Sequence, residues 1–360
     1  MRILSLDAGS SSLKYAAYDV AEGAFAPLIA GQREAPHDAD GALDAIAREF
    51  EGCSAAPPAA VGHRIVFGGP AYVEPTHASD EVLQDLERLV PLDPLHLRSQ
   101  IDLVHAVRQR FPGVPQVLCF DTAFHRLMPA VAKRLPLPRA LGAEVQRYGF
   151  HGLSYEYVLW KLGEAARGRV IVAHLGSGAS LCAARHGVPE DTTMGFSPLG
   201  GLMMSTRPGD LDPGVLLYLL GPGGQSLHDL TELLTHHSGL LAVSASSASM
   251  KTLLESSATD TSAREAVDLF VYQLTKHLGA MVAVLGGLDT LVFTAGIGER
   301  APQVRARACA ALGYLGLRLD EDANARNDGV ISAAGSAVTV RVVPTDENLM
   351  VARHTAAALS

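Results

Sequence analysis

The sequence predicts an α/β protein of two domains built on a repeated strand–turn–strand unit. Three observations carry this. The chain has 360 residues, more than one ordinary hydrophobic core accommodates. Short apolar runs of strand length alternate with helix-periodic stretches along it. A small-residue turn recurs once in each half: Gly9-Ser10-Ser11-Ser12-Leu13 is echoed, with one insertion, by Gly176-Ser177-Gly178-Ala179-Ser180-Leu181. Chance similarity between small residues is the plain alternative to a duplication.

In chain order, residues 3–6 and 13–18 run apolar or alternate on either side of the first turn, which predicts a hairpin. Helices are expected near 41–50, 80–90 and 97–110, and a strand at 116–120. Val170-Ile171-Val172-Ala173 leads into the second turn. A long amphipathic helix places Val267, Phe270, Val271, Leu274, Leu278, Met281, Val282 and Leu285 on one face, and Gly286-Gly287 ends it. Leu291-Val292-Phe293 reads as a buried strand, followed by Ala295-Gly296-Ile297-Gly298-Glu299. Strand, glycine and helix in succession form a nucleotide-site geometry. Thr345 is expected to open the last helix, with Asp346 and Glu347 in its first turn, where capping accounts for all three. Stretches 244–249 and 256–262 are expected as exposed loops, and Pro57-Pro58 and 221–224 as turns.

Composition narrows the function. A net charge of −9 argues against nucleic acid or an anionic membrane as the main partner. No uninterrupted apolar run approaches the ~20 residues of a spanning helix; the nearest, 278–297, is broken by Gly286, Gly287 and Asp289. Asp7 interrupts the first apolar run, so no signal peptide is expected. Cys53, Cys119, Cys182 and Cys309 are scattered without metal or redox spacing, as buried thiols in a reducing cytoplasm would be.

The stretch from His174 to Pro213 carries the chemistry. It spends a Gly/Ser turn, an apolar loop and Arg207 on forty residues that promise little core. Turns of Gly and Ser let backbone N–H groups approach an anion, and an arginine among them suits a planar oxyanion. Phosphate chemistry is the functional reading; a loop-rich edge with a surface arginine is the plain one.

Several short segments then fall into one ordered pattern: Asp7-Ala-Gly-Ser-Ser-Ser-Leu-Lys14, Gly62-His-Arg-Ile-Val-Phe-Gly-Gly69, Phe120-Asp-Thr-Ala-Phe-His125 and Arg147-Tyr-Gly-Phe-His-Gly152 in the first half. His174-Leu-Gly-Ser-Gly-Ala-Ser180, Met194-Gly-Phe-Ser-Pro198, Thr206-Arg-Pro-Gly-Asp-Leu-Asp-Pro213, Phe293-Thr-Ala-Gly-Ile-Gly-Glu299 and Thr345-Asp-Glu347 follow. Over nearly the whole chain they resemble the acetate kinase (acetate/propionate kinase) family of the sugar kinase/heat-shock chaperone/actin superfamily. The resemblance implies a two-domain actin-like (ribonuclease H-like) duplicated α/β fold with the active site in the interdomain cleft. It places the first domain at 1–147 plus 350–360 and the second, nucleotide-binding one at 148–349. It implies phosphoryl transfer from ATP to acetate or propionate, Mg²⁺ (or Mn²⁺) as cofactor, and a cytoplasmic homodimer.

The same resemblance supplies roles. A carboxylate is already ionised at pH 7, so the acceptor needs alignment and charge cancellation rather than a strong base. Arg64 and Arg207 fall at the family's two active-site arginines, and His151 at its histidine that donates to the phosphoryl oxygens. Asp121 and Glu347 fall at its carboxylates near Mg²⁺, with Asp7 as a further metal-linked residue. Ser10, Ser12 and Lys14 would meet phosphates from the first hairpin, and His174, Gly176, Ser177 and Gly178 from the second. Val66, Leu92, Phe150 and Pro198 fall where the family lines a small methyl pocket, and all four are apolar. Ser249, Lys251, Gly296, Gly298 and Arg300 fall on the adenosine side.

The departures concentrate on the donor side. Asp7 stands for an Asn, Ser177 for the Asn of the second turn, Ser249 and Lys251 for an Asp and an Arg, and Arg300 for an Asn. Phe67 and Asp93 each stand for a histidine. A bare carboxylate at 93 would repel substrate anions unless it pairs, and His96 is the residue spaced to compensate. Two other readings follow: the same fold with another donor (pyrophosphate or another nucleotide) or another small acid, and a non-catalytic sensor of nucleotide or acyl phosphate.

Overall fold

The computed structural model describes residues 1–9, 12–34, 39–54, 56–93 and 96–360. Two compact units emerge. Unit 1 comprises Met1–Arg126, Phe150–Tyr157 and Asp346–Ser360; unit 2 comprises Leu127–Gly149 and Val158–Thr345. Relative to the expected division, residues 127–147 group with the second unit, and 150–157 and 346–349 with the first.

Unit 1 is a six-stranded sheet: β1 (Arg2–Ala8), β2 (Ser12–Ala21), β3 (Ala24–Glu34), β4 (Ala60–Ile65), β5 (Thr76–His77) and β6 (Gln116–Phe120), in the order β3-β2-β1-β4-β6-β5. β1, β4 and β6 are parallel, with β2 and β3 antiparallel on one side. Side chains alternate across a strand, so β1 feeds two cores. Leu4 and Leu6 pack with Leu43, Ile46, Phe50, Leu103 and Val107, from the helices Ala39–Cys53 and Leu97–Arg110. Ile3 packs on the other face with Ala16, Tyr18 and Ala352 of the last helix. The predicted hairpin, the helices near 41–50, 80–90 and 97–110 and the strand at 116–120 are all present.

Unit 2 holds β7 (Arg169–Leu175), β8 (Ala179–Arg185), β9 (Val188–Thr192), β10 (Thr290–Thr294) and β11 (Thr339–Val342), in the order β11-β10-β7-β8-β9. Again the first strand is central: β8 and β9 run antiparallel on one side, and β10 and β11 parallel on the other. The arrangement matches β3-β2-β1-β4-β6, so the repeated turn marks a repeated sheet. The helix Thr261–Leu285 starts at an Asp260 cap and buries all eight predicted residues before ending at Gly286. Among the described residues, no helix is long and apolar enough to cross a membrane.

Three local expectations are corrected. The last helix spans Glu347–Ala358, and Asp346, not Thr345, caps it by accepting the Leu349 N–H at 2.9 Å. The stretch 295–299 lies inside the helix Ala295–Arg300, so its glycines are helical residues rather than a loop ahead of the helix. Residues 245–249 and 257–260 are the expected loops between helices Gly239–Ser244, Met250–Ser256 and Thr261–Leu285; the departure is Ser244, which ends a helix, is buried and accepts the N–H groups of Ser246 and Ser247.

Candidate active site

In unit 1 the carboxyl ends of three neighbouring parallel strands carry charge. Asp7 on β1 is in register with Arg64 on β4, and Asp121 follows the last residue of β6. Ligands of α/β sheets gather at this edge. Arg64 Nη1 donates to Asp7 Oδ1 at 2.7 Å. Its Nε and Nη2 donate to Asp121 Oδ2 at 3.0 and 2.5 Å. Glu347 Oε1, at the start of the last helix, lies 4.0 Å from Nη2, and Lys14 Nζ lies 4.0 Å from Asp7 Oδ2. Arg64 is only 12% exposed, and the three carboxylates are buried.

Three acids around one buried guanidinium leave negative charge unbalanced, and the strain falls on one of them. Burial would raise the Asp7 pKa, but Arg64, then Lys14, with His96 adding a smaller share, hold it below the usual carboxylate value. Burial also opposes the Arg64 charge, yet Asp121, Asp7 and Glu347 raise its pKa well above the ordinary one. Glu347 is pushed up to about 7, first by burial and then by Asp7 and Asp121, against the pull of Arg64. The sequence reading left Arg64 open to a substrate; in the protein it is gripped by two carboxylates.

The chain next to His151 lies against this region. A Cβ on Gly152 would collide with the Asp121 carbonyl oxygen, so only glycine lets the chain lie against Asp121 here. His151 itself is left-handed at φ 57°, a costly conformation for a non-glycine residue, and His125 Nε2 bonds the Phe150 carbonyl at 3.0 Å. Phe67 stacks on Phe150 with ring centroids 6.2 Å apart, so the residue in place of a histidine adds an apolar wall. Val66 is buried, and its N–H donates to Gln100 Oε1 at 3.0 Å, while Gln100 Nε2 donates to the Ala8 carbonyl at 3.1 Å. Gln100, which sequence reasoning missed, thereby ties the ends of β1 and β4 together. Leu92 is half-buried in a short 3₁₀ turn. Asp93 is buried and pairs with His96 Nδ1 at 3.0 Å through Oδ1, so the carboxylate is not bare. Ser12 opens β2 and its carbonyl accepts the Gly9 N–H at 2.8 Å; Ser10 lies outside the described residues.

Unit 2 builds a comparable edge. His174 is in register with Thr294 at the ends of β7 and β10. The Gly176 N–H donates to the Gly178 carbonyl at 2.9 Å, as Gly9 does to Ser12 in the first turn. The Ser177 carbonyl accepts the Ser205 N–H at 3.1 Å, which ties this turn to the loop bearing Arg207. Arg207 Nη1 donates to the carbonyl of buried Pro198 at 2.8 Å. Arg147 secures the same loop from behind: its Nη1 faces the carbonyls of Thr192, Thr193 and Met194 at 2.9–3.4 Å. Gly296 is exposed with open space above its Cα, whereas Gly298 is buried against Phe293 and the Ala173 carbonyl. Ser249 caps the helix Met250–Ser256, and Lys251, far out in solvent, faces Glu255 at 4.0 Å. Arg300 is exposed at the end of its helix.

Among the described residues, no three His, Cys, Asp or Glu side chains converge closely enough to hold a metal by themselves. Mg²⁺ is ordinarily held by one or two carboxylates together with phosphates and waters. The Asp7, Asp121 and Glu347 set fits that need. Its donors are hard oxygens, and Glu347 Oε1 is buried without a hydrogen-bond partner.

Comparison with known proteins agrees across the whole chain. The acetokinase family model matches residues 2–353. The acetate kinase of Rhodopseudomonas palustris (strain ATCC BAA-98 / CGA009) is 44% identical over 391 aligned positions, covering 98% of this chain and 97% of that one. The crystal structure of Porphyromonas gingivalis acetate kinase is similar with a TM-score of 0.87 at 33% identity, over 100% of both chains. That of a propionate kinase from Francisella tularensis subsp. tularensis SCHU S4 is similar with a TM-score of 0.90 at 30% identity, over 99% of both.

Proposed function

The chain belongs to the acetokinase family and has its two-domain actin-like fold, and from that membership we propose that it transfers the terminal phosphoryl group of ATP reversibly to the carboxylate of acetate or propionate. The new bond joins a carboxylate oxygen to phosphorus; the bond from phosphorus to the ADP oxygen breaks. The observation that carries this reading is the Asp7–Arg64–Asp121 cluster at the strand ends, with Glu347 beside it.

Arg64 aligns the acceptor carboxylate, exchanging part of its grip on Asp7 and Asp121 for the incoming anion. Arg207 and His151 donate to the transferring phosphoryl, where negative charge spreads over three oxygens. Asp7, Asp121 and Glu347 would hold Mg²⁺ (or Mn²⁺), which when bound neutralises phosphate charge. Ser10, Ser12 and Lys14, and His174, Gly176, Ser177 and Gly178, serve the phosphates. Gly296, Ser249, Lys251 and Arg300 serve the nucleoside side, and Gly298 serves it by packing rather than contact. Val66, Leu92, Phe150 and Pro198 take the short alkyl group. At about 1–3 kcal/mol per methylene, such a pocket separates acetate from longer acids more than from propionate.

The proposed division into domains 1–147 with 350–360 and 148–349 is supported by the two compact units, whose bounds differ from it at 127–147, 150–157 and 346–349. A homodimer is supported by the helix Pro213–Leu220, which buries no residue and exposes Val215, Leu217, Tyr218 and Leu220. The cytoplasm is supported by four free cysteines, three of them buried. The reaction is tested by trapping acyl phosphate as the hydroxamate from acetate, ATP and Mg²⁺, beside controls lacking each component. Product that needs all three supports the reading, and none from folded protein defeats it.

A second reading keeps the fold and changes the donor. Ser249 is spent on a helix cap and Lys251 on a surface pair, so neither is committed to adenosine. A donor screen at fixed acetate decides: pyrophosphate or another nucleotide outperforming ATP would favour it.

A further inference from the structure

Arg305, on the helix Pro302–Ala311, has none of its surface exposed. Its guanidinium donates four hydrogen bonds, and every acceptor is neutral. They are Asn324 Oδ1 at 2.8 Å, the Asn324 carbonyl at 2.7 Å, the Gly298 carbonyl at 2.8 Å and Asn327 Oδ1 at 2.7 Å. Burying a cation without a counter-charge is costly and needs a compensating task. Burial accordingly lowers the Arg305 pKa to about 10.

What the guanidinium holds is specific. Gly298 lies in the helix Ala295–Arg300, which turns off the end of β10. The corner is made by Ala295, a non-glycine residue in the left-handed region at φ 62°. Such a conformation persists only where its surroundings over-determine it. Asn327, on the other side of the guanidinium, is left-handed too, at φ 56°. Asn324 closes the arrangement by donating Nδ2 to the Pro302 carbonyl at 3.0 Å. One side chain therefore links the helix that opens at left-handed Ala295 to the left-handed turn at Asn327.

We propose that Arg305 is a positioning residue for the nucleotide: it clamps the corner 294–300 against 324–327, so that the open backbone at Gly296 is held where the donor binds. The inference rests on the reaction proposed above.

The test is steady-state kinetics of acyl phosphate formation by Arg305→Gln and Arg305→Lys, varying ATP at saturating acetate and then the reverse. Arg305→Gln is expected to raise KM for ATP about tenfold or more, because small misplacements of binding groups are costly, while KM for acetate stays within about twofold. Arg305→Lys, keeping charge without the fork, falls between. An unchanged KM for ATP, or equal rises in both constants, overturns the inference. If Arg305→Gln does not fold, Asn327→Gly removes one acceptor and tolerates the left-handed backbone. It should raise KM for ATP about threefold; no selective rise overturns the inference. Absence of turnover in the wild-type protein would instead defeat the underlying reaction, whereas wild-type turnover with indifferent variants defeats only the role of Arg305.

Discussion

Replacing Glu347 by Gln removes a buried carboxylate that Asp7 and Asp121 crowd. The Glu347 carboxyl is pushed from 4.5 up to about 7, chiefly by burial and then by Asp7 and Asp121. An acid whose pKa rises on folding binds its proton more tightly in the native state. Between pH 4.5 and 7 the unfolded chain is ionised while the native one is not, so stability falls as pH rises through that window. At about 1.4 kcal/mol per pH unit, the loss comes to about 3 kcal/mol once pH is well above 7. Glu347→Gln should therefore match the metal-free wild type near pH 4.5 and exceed it at pH 8 by up to about 3 kcal/mol, less whatever the buried amide costs. Paired urea denaturations at the two pH values, with EDTA present, measure this. Other titrating groups are common to both proteins and cancel in the difference. A variant less stable than wild type at pH 8, or a difference that does not grow with pH, would refute the reasoning. The variant should also lose most acyl phosphate formation, separating the residue's task from its effect on stability.

His63 is buried, bonds Gln116 Oε1 at 2.7 Å, and is lowered to about 4, first by desolvation; the folded state loses about 3 kcal/mol as pH falls from 6.5 to 4, and acid denaturation of His63→Gln should lack that loss. Arg64→Ala leaves buried Asp7 and Asp121 without their cation, so it should destabilise by about 3–5 kcal/mol in urea titration. It should lower kcat/KM for acetate by at least about 10²-fold in the hydroxamate assay; near wild-type kinetics would remove Arg64 from the site. Leu217→Glu, on the exposed helix Pro213–Leu220, should give a monomer by light scattering where the wild type gives a dimer; an unchanged mass would place the interface elsewhere.

The local grammar of the chain was legible. The two Gly/Ser turns stand between alternating runs, and both became hairpins in equivalent places of equivalent sheets. The helix Thr261–Leu285 was legible because its period of 3.6 is unbroken. Long-range pairing was not. That Asp7 lies in register with Arg64 depends on which strands become neighbours, and fifty-six residues of intervening sequence do not state it. The pairing of Asp93 with His96 was legible as a spacing, and the structure supplies the contact, 3.0 Å from Nδ1 to Oδ1. Arg305 gave no signal, because Pro-Gln-Val-Arg-Ala-Arg-Ala reads as a surface helix and its acceptors are carbonyls and amides rather than acids. The capping role of Ser249 was also not anticipated, although its spacing to Thr252 marks a helix cap.

The most direct test of phosphoryl transfer at Arg64 is ³¹P NMR of the reaction of ¹⁸O-labelled acetate with ATP and Mg²⁺, run with wild type and with Arg64→Ala. The account predicts acetyl phosphate carrying ¹⁸O in the bridge to phosphorus from the wild type, and little or none from the variant. Folded, ATP-binding wild-type protein that places no acetate oxygen on phosphorus would contradict it.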